Sequence, residues 1–514
     1  MRRRLRLCGA LSTLALAIGV VVAPAQGSPE LSAPSHAMAS SGTDNAKDLL
    51  REYAASTWES FVAMVDADSG LPADNLRTDG TRSVETSTTN IGAYMWSAMV
   101  AERLDLIRHR ELVARIGQTL DTLEGMERYQ GQFYNWYDHR TGEKLTYWPP
   151  TGEPRTPILS SVDNGWLATG LRLVSRGIPQ LAHQARTIYD GMDFGIYYRP
   201  EVNRILFHIA PDTGESPCCY DTIVSESRIA SYIGIAKGEL PRKHYFGAWR
   251  SFPDGPCADW GYQEAKPVGF HRTYLGVDVF EGAYEYNGTR VVPGWGGSMF
   301  EALMPALFVP EDRWGKRSWR VNHPLTVAAQ IHHGLVDAEY GYWGFSPANI
   351  PEGGYDVYGV DALGMNPDGY FSNEDRTGVD RGFPGCEGRD PQPDPEPEAY
   401  TNGVVTPHAV FLALRWAPKQ VVANLERLRR DFDVYTDKGF LDSVNVDTGA
   451  VSPAYLSLDQ GIIMAAIGNA LAHDFLRELF TGRGYTRTLA PLVGMERFNA
   501  SPRDWQSVLE AAGR

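Results

Sequence analysis

Two kinds of helix alternate along this chain, and that alternation most constrains its fold. One kind places charged and apolar residues on opposite faces at a period near 3.6, as helices on a protein surface do, and occupies residues 105–127, 179–193 and 418–432. The other kind is poor in charge and rich in Ala, Gly and Leu, so it is apolar around its whole circumference, which predicts burial on several sides. This second kind occupies residues 90–104, 164–175, 226–238, 297–308, 407–417 and 460–476.

Six buried helices interleaved with amphipathic ones predict two concentric helical rings, an (α/α)6 barrel, in one domain over residues 46–490 with an extension over 491–514. A large helical bundle or solenoid is the alternative, but the sequence has no short fixed-period repeat. Residues 194–210 and 274–292 alternate around turn residues and predict β-hairpins. Residues 366–403 form a Pro-, Gly- and Asp-rich loop too long for a simple connector, and we expect it to wall one side of a cleft.

The first 25 residues have the order of a secretory signal: four arginines, an apolar run and then Ala23-Pro24-Ala25. We therefore expect export, a mature chain that begins near Gln26, and a disordered leader over residues 26–45. Loss of the four arginines changes the formal net charge from -15 to -19. So acidic a chain is not expected to bind nucleic acid, and no later segment is apolar enough to predict membrane insertion of the mature protein.

Four cysteines follow the signal segment, and an exported protein is expected to oxidise them. Cys218 and Cys219 are neighbours, and neighbours rarely bond to each other, so we expect them to pair separately with Cys257 and Cys386. Two or more buried free thiols are the alternative. Zinc binding is not expected, because no Cys-x-x-Cys or His-x3-His spacing accompanies these residues.

Polar residues precede most of the buried helices, and if these helices run parallel, their starts meet at one mouth. They lie in residues 86–90, 160–165, 224–228, 296–301 and 458–461. Ser, Thr, Asp and Asn commonly cap helix N-termini, and capping is the ordinary role for any one of them. Capping does not explain why two charged residues, Glu226 and Arg228, lie at the beginning of a helix that is otherwise so apolar. Carboxylates that converge in a partly desolvated pocket have pKa values that differ, which supplies one acid and one base.

Aromatic residues are frequent near these mouths and loops, and we expect about half of them to be core and the rest to stack on sugar rings. His332, His333 and His408 lack metal-ligand spacing, so no metal is predicted. The sequence also contains no phosphate loop, dinucleotide fingerprint or Gly-x-Ser-x-Gly elbow, so no cofactor is predicted.

Several motifs in collinear order, from about residue 86 to 480, resemble the glucoamylase-like domain of glycoside hydrolase family 144. That family includes endo-β-1,2-glucanases, and related domains occur in cyclic β-1,2-glucan synthases. Residues 255–271 and 366–403 depart from the family pattern. The motifs are FYNWYD (133–138), SSVDNGWLATGL (160–171), SESRIASYIGIAKG (225–238), WGGSMFEALMPAL (295–307), YWGFSPA (342–348), GFLDSVN (439–445) and YLSLDQGIIMAAIGNAL (455–471).

The resemblance implies an (α/α)6 barrel, hydrolysis with inversion and no cofactor. Glu226 matches the acidic catalytic candidate of the family, while Asp163, Asp442 and Asp459 match acids of other motifs. We expect Glu226 to protonate the glycosidic oxygen, with Asp163 or Asp459 as the base and Asp442 next. An inverting pair requires carboxylates about 6.5–9.5 Å apart, against about 5–5.5 Å for a retaining pair. A tight ion pair with Arg228 would weaken the assignment of Glu226.

The expected ligand is a glucan-type polysaccharide or oligosaccharide. The candidate substrate-binding residues are Trp136, Asn164, Trp166, Arg228, Trp295, Glu301, Trp343, Tyr455 and Gln460. A non-catalytic carbohydrate-binding protein and a polysaccharide lyase or other glycan-active enzyme on the same barrel are the alternatives, because a fold does not fix a function.

Overall fold

The computed structural model describes residues 38–253 and 265–501, apart from 366–367, 371–372, 375–392 and 394. The described chain is mostly helical, as predicted, and its residues from Ala46 onward form one compact unit. Its α-helices are α1 (Met38–Met64), α2 (Thr88–Arg103), α3 (His109–Gly125), α4 (Ser161–Gly177), α5 (Ala182–Gly191), α6 (Arg228–Lys237), α7 (Met299–Leu303), α8 (Glu311–Trp314), α9 (Trp319–His332), α10 (Pro407–Leu412), α11 (Pro418–Asp431), α12 (Ser457–Leu471) and α13 (Phe475–Val493).

The strands are short, and they pair antiparallel in two-stranded ribbons. They are β1 (Asn75–Arg77), β2 (Glu85–Ser87), β3 (Arg128–Tyr129), β4 (Gln132–Phe133), β5 (Trp136–Asp138), β6 (Tyr147–Trp148), β7 (Glu153–Pro154), β8 (Leu159–Ser160), β9 (Tyr198–Arg199), β10 (Arg204–Ile205), β11 (His208–Ile209), β12 (His271–Tyr274), β13 (Val277–Phe280), β14 (Tyr284–Tyr286), β15 (Thr289–Val291), β16 (Ala348–Asn349), β17 (Tyr355–Asp356), β18 (Asp368–Tyr370), β19 (Asn373–Glu374), β20 (Val404–Val405), β21 (Tyr435–Thr436), β22 (Gly439–Phe440), β23 (Val444–Asn445) and β24 (Ala454–Leu456).

The two predicted helix types are confirmed by their burial. In α2 every residue from Thr88 to Ala101 is buried, whereas α11 buries only the stripe Val421, Asn424, Leu425 and Leu428. That stripe has the i, i+3, i+4, i+7 spacing of a helix with one face on the core. Burial of apolar surface, at roughly 25 cal/mol per Å², is thus what holds α2, α4 and α12 inside the molecule.

The buried helices α2, α4, α6, α7, α10 and α12 are each other's neighbours. α2 packs against α4 and α12, α4 against α6, and α10 against α7 and α12. Hydrogen bonds from Arg228 to the carbonyl oxygens of Glu301 and Ala302 join α6 to α7. Glycine permits the close approach of α2 to α4, since a Cβ at Gly92 of α2 would lie 2.5 Å from the backbone oxygen of Trp166 in α4.

Short strands lead directly into four of these helices, and the pairing of these strands holds the helix N-termini close together. β2, β8, β20 and β24 precede α2, α4, α10 and α12, and they pair with β5, β11, β23 and β1. The Ser457 N–H also donates to the backbone oxygen of Asp74, which ties β1 to the start of α12. The polar residues at these helix starts therefore lie near one another.

Some predicted element boundaries change. The segment 297–308 forms α7 and then a 3-10 turn over Met304–Leu307, because Pro305 has no N–H to continue an α-helix. The segment 194–210 starts as a 3-10 turn and contributes the hairpin β9–β10, while β11 pairs with β8 instead. The segment 274–292 contains parts of two hairpins, β12–β13 and β14–β15. Helix α1 begins at Met38, within the leader that we predicted to be disordered.

The predicted cysteine pairing is wrong for Cys218 and Cys219. The structure bonds these neighbours to each other, with their Cα atoms 3.1 Å apart, so neither sulfur is left for a distant partner. The expected partners Cys257 and Cys386 lie outside the described residues, as do most of the long loop 366–403, the signal segment 1–25 and residues 502–514.

Within the described residues, every helix is either too short or too polar to span a bilayer.

Candidate active site

Serine caps fix the first turns of three buried helices. Ser87, Ser160 and Ser298 accept hydrogen bonds from the backbone N–H three residues later, at 3.2 to 3.3 Å. In two cases that third residue is an acid, Asp163 or Glu301, a position where the positive end of the helix dipole favours a negative charge. The caps therefore hold the two carboxyl groups at the helix mouths.

Glu226 lies just before α6, partly accessible, and its Oε2 accepts from the Ser225 hydroxyl at 3.2 Å. Burial raises the pKa of the Glu226 carboxyl to about 7, and the negative charge of Asp163 adds to this effect. Glu301 is buried, and its pKa is raised well above the usual value by burial and then by the charge of Glu226. At neutral pH this part of the site thus favours protonated carboxyl groups.

Arg228, two residues after Glu226, belongs to a separate buried network. Its Nε and Nη2 donate to the Glu311 carboxylate at 2.7 and 3.1 Å, and its other N–H groups donate to backbone oxygens. Tyr232 and His323 bond to the same carboxylate. Burial raises the pKa of Glu311, but the charge of Arg228 and these bonds outweigh burial and hold it at about 2. Arg228 is 2% exposed.

All five N–H groups of Arg228 thus donate to protein oxygens, and the structure leaves none of them for the predicted contact with a substrate. A tight ion pair between Arg228 and Glu226 would have weakened the assignment of Glu226 as the acid. Arg228 instead forms its ion pair with Glu311.

Asp163 occupies the third position of α4 and faces a cleft. Its Oδ1 accepts from the Thr89 hydroxyl at 2.5 Å, and its Oδ2 accepts from the Asn135 side-chain amide at 2.8 Å. The Asn135 amide is oriented by the Trp136 Nε1, which donates to its oxygen at 2.9 Å. Burial raises the pKa of Asp163, although hydrogen bonds with Ser160 and Thr89 and the charge of Arg155 act against it.

Asp74, immediately before β1, joins the same group of acids. The side-chain amides of Asn90 and Asn75 donate to its two oxygens at 2.6 and 2.8 Å. Burial raises the pKa of Asp74 to about 7, and the charges of Glu85, Asp442 and Asp163 contribute. Asp74 remains partly exposed, so water can reach it.

Asp442 and Asp459 lie deeper, and each is only 2% exposed. Burial raises the pKa of Asp459 to about 8, and burial together with the charge of Asp459 raises that of Asp442 well above its usual value. The backbone N–H of Asn349 donates to Asp442 Oδ2 at 2.7 Å, while His408 Nδ1 lies 2.9 Å from Asp459 Oδ2. Burial lowers the pKa of His408 to about 4.

His408, Asp442 and Asp459 are also the described residues whose donor atoms, all within 4.8 Å of one another, are close enough to hold a metal ion. The raised carboxyl pKa values and the lowered imidazole pKa favour a neutral, proton-sharing cluster at neutral pH. Sequence spacing could not reveal this group, because its three members come from α10, the segment before β23, and α12.

A cleft of about 950 Å³ opens beside these acids. Asp74 and Asp163 line it, with Trp136 and Trp148 on one wall and Tyr355 from the hairpin β16–β17. The rings of the two tryptophans meet edge to face with centroids 5.4 Å apart. The Arg155 guanidinium lies 5.5 and 4.9 Å from these centroids.

Of the candidate substrate-binding residues, Trp136 lines this cleft and most others are occupied by protein contacts. Trp166 is core against Trp96 and Phe308. Asn164 bonds both backbone groups of Phe133. The buried remainder are Trp295, Glu301, Trp343, Tyr455 and Gln460. Their predicted direct contact with a ligand is not supported, because at most 4% of each side chain is exposed.

Sequence reasoning missed Asp74, Glu85, Asn135 and Tyr355. The search for acids covered the starts of buried helices, whereas Asp74 precedes a strand and Tyr355 lies in a hairpin. The run GLPADN before β1 offered no helix-capping pattern. The repeated glycines in PEGGY predicted a turn, but not that the turn would overhang a cleft.

Two family models match parts of this mostly helical chain. Residues 266–483 match the family model described as "Putative glucoamylase", and residues 52–196 match a family described as "Protein of unknown function (DUF3131)". These matches and the solved structures below confirm the resemblance to the glucoamylase-like domain of glycoside hydrolase family 144.

One curated relative is the cyclic β-(1,2)-glucan synthase NdvB of Rhizobium meliloti, 24% identical over an alignment that covers 85% of this chain. This chain spans only 18% of the length of that relative.

Solved structures with this fold include an endo-β-1,2-glucanase from Chitinophaga pinensis in complex with sophorotriose and glucose. The two chains are 16% identical, with a TM-score of 0.60 over 87% of this chain and 97% of the other. An endo-β-1,2-glucanase from Talaromyces funiculosus, solved with sophorose, is 13% identical with a TM-score of 0.58 over 90% and 92%. A putative glucoamylase from Bacteroides fragilis is 17% identical with a TM-score of 0.63 over 88% and 96%.

Proposed function

We propose that this protein is a glycoside hydrolase that cleaves a glucan-type polysaccharide or oligosaccharide, with β-1,2-linked glucan as the favoured substrate. One observation carries the proposal: Glu226, Asp163 and Asp74 are partly accessible carboxyl groups with raised pKa values. Carboxyl groups whose environments shift their pKa values are what acid–base glycoside hydrolysis requires. The fold shared with two endo-β-1,2-glucanases supports the choice of substrate.

We also infer that the six buried helices form the inner ring of an (α/α)6 barrel. Each of the six has two of the others as neighbours, and amphipathic helices separate most of them in the chain. In such a barrel the mouth that gathers the helix starts would be the place of catalysis.

In the proposed mechanism Glu226 is the general acid. Its raised pKa keeps the carboxyl group protonated near neutral pH, so it can give its proton to the glycosidic oxygen as the bond to the anomeric carbon breaks. Glu301 supports this state, because a neighbouring carboxyl group disfavours ionisation of both.

Asp163 is the preferred base among the four acids predicted to be catalytic. A base must accept a proton from the attacking water, and Asp163 lines the cleft, whereas Asp442 and Asp459 are each 2% exposed. Its two oxygens are already oriented by Thr89 and Asn135, which leaves their remaining lone pairs for water. Water that attacks from the face opposite Glu226 inverts the anomeric configuration.

The test is a panel of β-1,2-, β-1,3- and β-1,4-glucans, α-glucans and arabinans, with product chromatography and proton NMR of fresh digests. The proposal predicts shortened β-1,2-glucan whose first products have the anomeric configuration opposite to that of the substrate. Products that retain the configuration would contradict inversion. An unsaturated, ultraviolet-absorbing product would instead indicate a lyase, and binding without turnover would indicate a carbohydrate-binding protein.

Replacing Asp163 and Asp459 by Asn separates the two leading candidates for the base. Under the proposal Asp163→Asn lowers turnover by about 10²-fold or more, as expected for loss of a general base. Asp459→Asn should retain more activity. The reverse order would transfer the role to Asp459.

We further propose that the protein is exported. The support is the signal pattern in residues 1–25, and mass spectrometry of the protein from culture medium should find an N-terminus near Gln26. A mature protein that still begins with Met1 would contradict export by this signal.

A further inference from the structure

Tyr355 is a solvent-exposed aromatic residue inside the cleft. Its side chain is 53% exposed, the largest exposure among the large hydrophobic side chains in the described part of the chain. Exposed aromatic residues are common on protein surfaces, but Tyr355 lines the same cleft as Asp74 and Asp163. Its hydroxyl has no hydrogen-bond partner among the described residues, so it is available to a ligand.

The hairpin that carries Tyr355 is fixed to the acids at its base. The backbone N–H of Asn349, in β16, donates to Asp442 Oδ2 at 2.7 Å. The Asn349 side-chain amide donates to the Asn75 side-chain oxygen at 2.6 Å, next to Asp74. These bonds set the position of β17, and therefore of Tyr355, relative to the acids.

The turn of this hairpin requires glycine. Gly353 and Gly354 have φ values of +95° and +100°, a backbone conformation that other residues rarely adopt. A Cβ at either position would meet no atom within 4 Å, so steric contact is not the reason for glycine there. The two glycines instead allow the chain to reverse within the short β16–β17 connection and return Tyr355 to the cleft wall.

The Tyr355 hydroxyl lies within electrostatic range of the acids of the site, and the residue as a whole is open to solvent in the cleft. Enclosure by the cleft walls raises the pKa of the Tyr355 hydroxyl well above its usual value, and the charges of nearby acids raise it further. In order of effect these acids are Asp459, Asp442, Asp74 and Glu226. The phenol is therefore neutral and able to donate a hydrogen bond at any pH at which the site works.

We propose that Tyr355 is a substrate-binding residue of the reaction centre, whose ring covers a sugar bound over Asp74 and whose hydroxyl donates to an oxygen of that sugar. A tyrosine ring with its polar tip suits a sugar, which presents C–H faces and hydroxyl edges. This assignment rests on the proposed function and deepens it, because it names a residue that holds the glucan at the acids.

The experiment compares Tyr355→Phe, Tyr355→Ala and the control Tyr129→Phe in steady-state hydrolysis of β-1,2-glucan. Tyr129 is also exposed, to 42%, and also lies in a hairpin, but it does not line the cleft. Loss of one hydrogen bond should lower kcat/KM by about tenfold in Tyr355→Phe. Tyr355→Ala also loses the ring contact and should raise KM further, while Tyr129→Phe should match the wild type.

Failure of this assignment is distinguishable from failure of the proposed function. If the wild type cleaves β-1,2-glucan and both Tyr355 variants match it, the Tyr355 assignment alone is wrong. If the wild type cleaves no β-1,2-glucan, the proposed substrate is wrong, and calorimetric binding of other gluco-oligosaccharides to the Glu226→Gln protein then tests Tyr355. Binding that is unchanged by Tyr355→Ala in that background would overturn the assignment, and weaker binding would support it.

Discussion

Two glutamates near α6 have opposite environments. Glu311 is fully buried, yet its pKa is held at about 2, because the charge of Arg228 and hydrogen bonds from His323 and Arg228 outweigh burial. Glu226 precedes Arg228 by only two residues, and burial raises its pKa to about 7. Burial acts in the same direction on both groups, so the cationic partner decides the difference.

The molecule thus assigns stability and chemistry to different glutamates. Arg228 satisfies Glu311 with two hydrogen bonds and directs its other donors to backbone oxygens, so that network is closed to a substrate. Glu226 has no such cationic partner within the described ranges, and its proton can therefore take part in a reaction. A buried ion pair and a candidate general acid thus lie side by side, and the charge of Arg228 lowers the pKa of Glu226 by less than burial raises it.

Removal of the Glu226 acid should lower turnover strongly. Glu226→Gln keeps the shape of the side chain and removes its acid, so kcat should fall by about 10²- to 10⁴-fold, the usual contribution of a general acid. Unfolding by urea should show no loss of stability, because Glu226 has no ion pair to break. Near-normal turnover would transfer the acid role to another residue, with Glu301 the first to test.

The corresponding substitution in the Arg228–Glu311 network, Glu311→Gln, should lower the free energy of unfolding. Glu311→Gln leaves the Arg228 charge buried without its partner, and we expect unfolding to become easier by about 3–5 kcal/mol, measured by urea titration. The control is Glu478→Gln, which removes a carboxylate that is 65% exposed and paired with Arg313, and should cost at most about 1 kcal/mol. Equal stabilities of the two variants would show that Glu311 does not stabilise the fold as proposed.

A smaller effect, with opposite signs at the two sites, is expected in the pH dependence of stability. The folded protein keeps a proton on Glu226 up to pH about 7 that the unfolded chain releases near 4.5, so this residue's contribution falls as pH rises through that window. Glu311 has a lowered pKa, so its contribution is present above 4.5 and is lost as pH falls towards 2.

Urea unfolding of wild type, Glu226→Gln and Glu311→Gln across pH measures these signs. Relative to Glu226→Gln, the wild type should lose stability between pH 5 and 8. Relative to Glu311→Gln, it should gain stability between pH 2.5 and 5. The same sign for both differences would contradict the opposite electrostatics of the two sites.

The sequence predicted the parts of this molecule that follow from local periodicity. The apolar helices α2, α4 and α12 were found because nearly every residue around their circumference is apolar or small, and α11 because its apolar stripe repeats with the helical period. The serine caps before Asp163 and Glu301 were visible for the same reason, since a capping pattern lies within four residues.

Contacts between segments that are far apart in the chain could not be predicted from the sequence. Arg228 is bonded to Glu311, which lies 83 residues further along the chain, and nothing within the motif SESR indicates that partner. Asp74 enters the site because β1 pairs with β24, and Tyr355 because its hairpin is bonded to Asp442. The bond between Cys218 and Cys219 is an exception to the general rule that adjacent cysteines rarely form a disulfide with each other.

The pH dependence of kcat/KM on β-1,2-glucan shows whether Glu226 reacts as a protonated acid while Arg228 is bound to Glu311. A general acid must carry its proton, so the wild-type rate should fall as pH rises above about 7, approaching tenfold per pH unit. The residual rate of Glu226→Gln should lack this descending limb. A wild-type rate that stays constant from pH 6 to 9, or a Glu226→Gln enzyme with the same descending limb, would contradict the account.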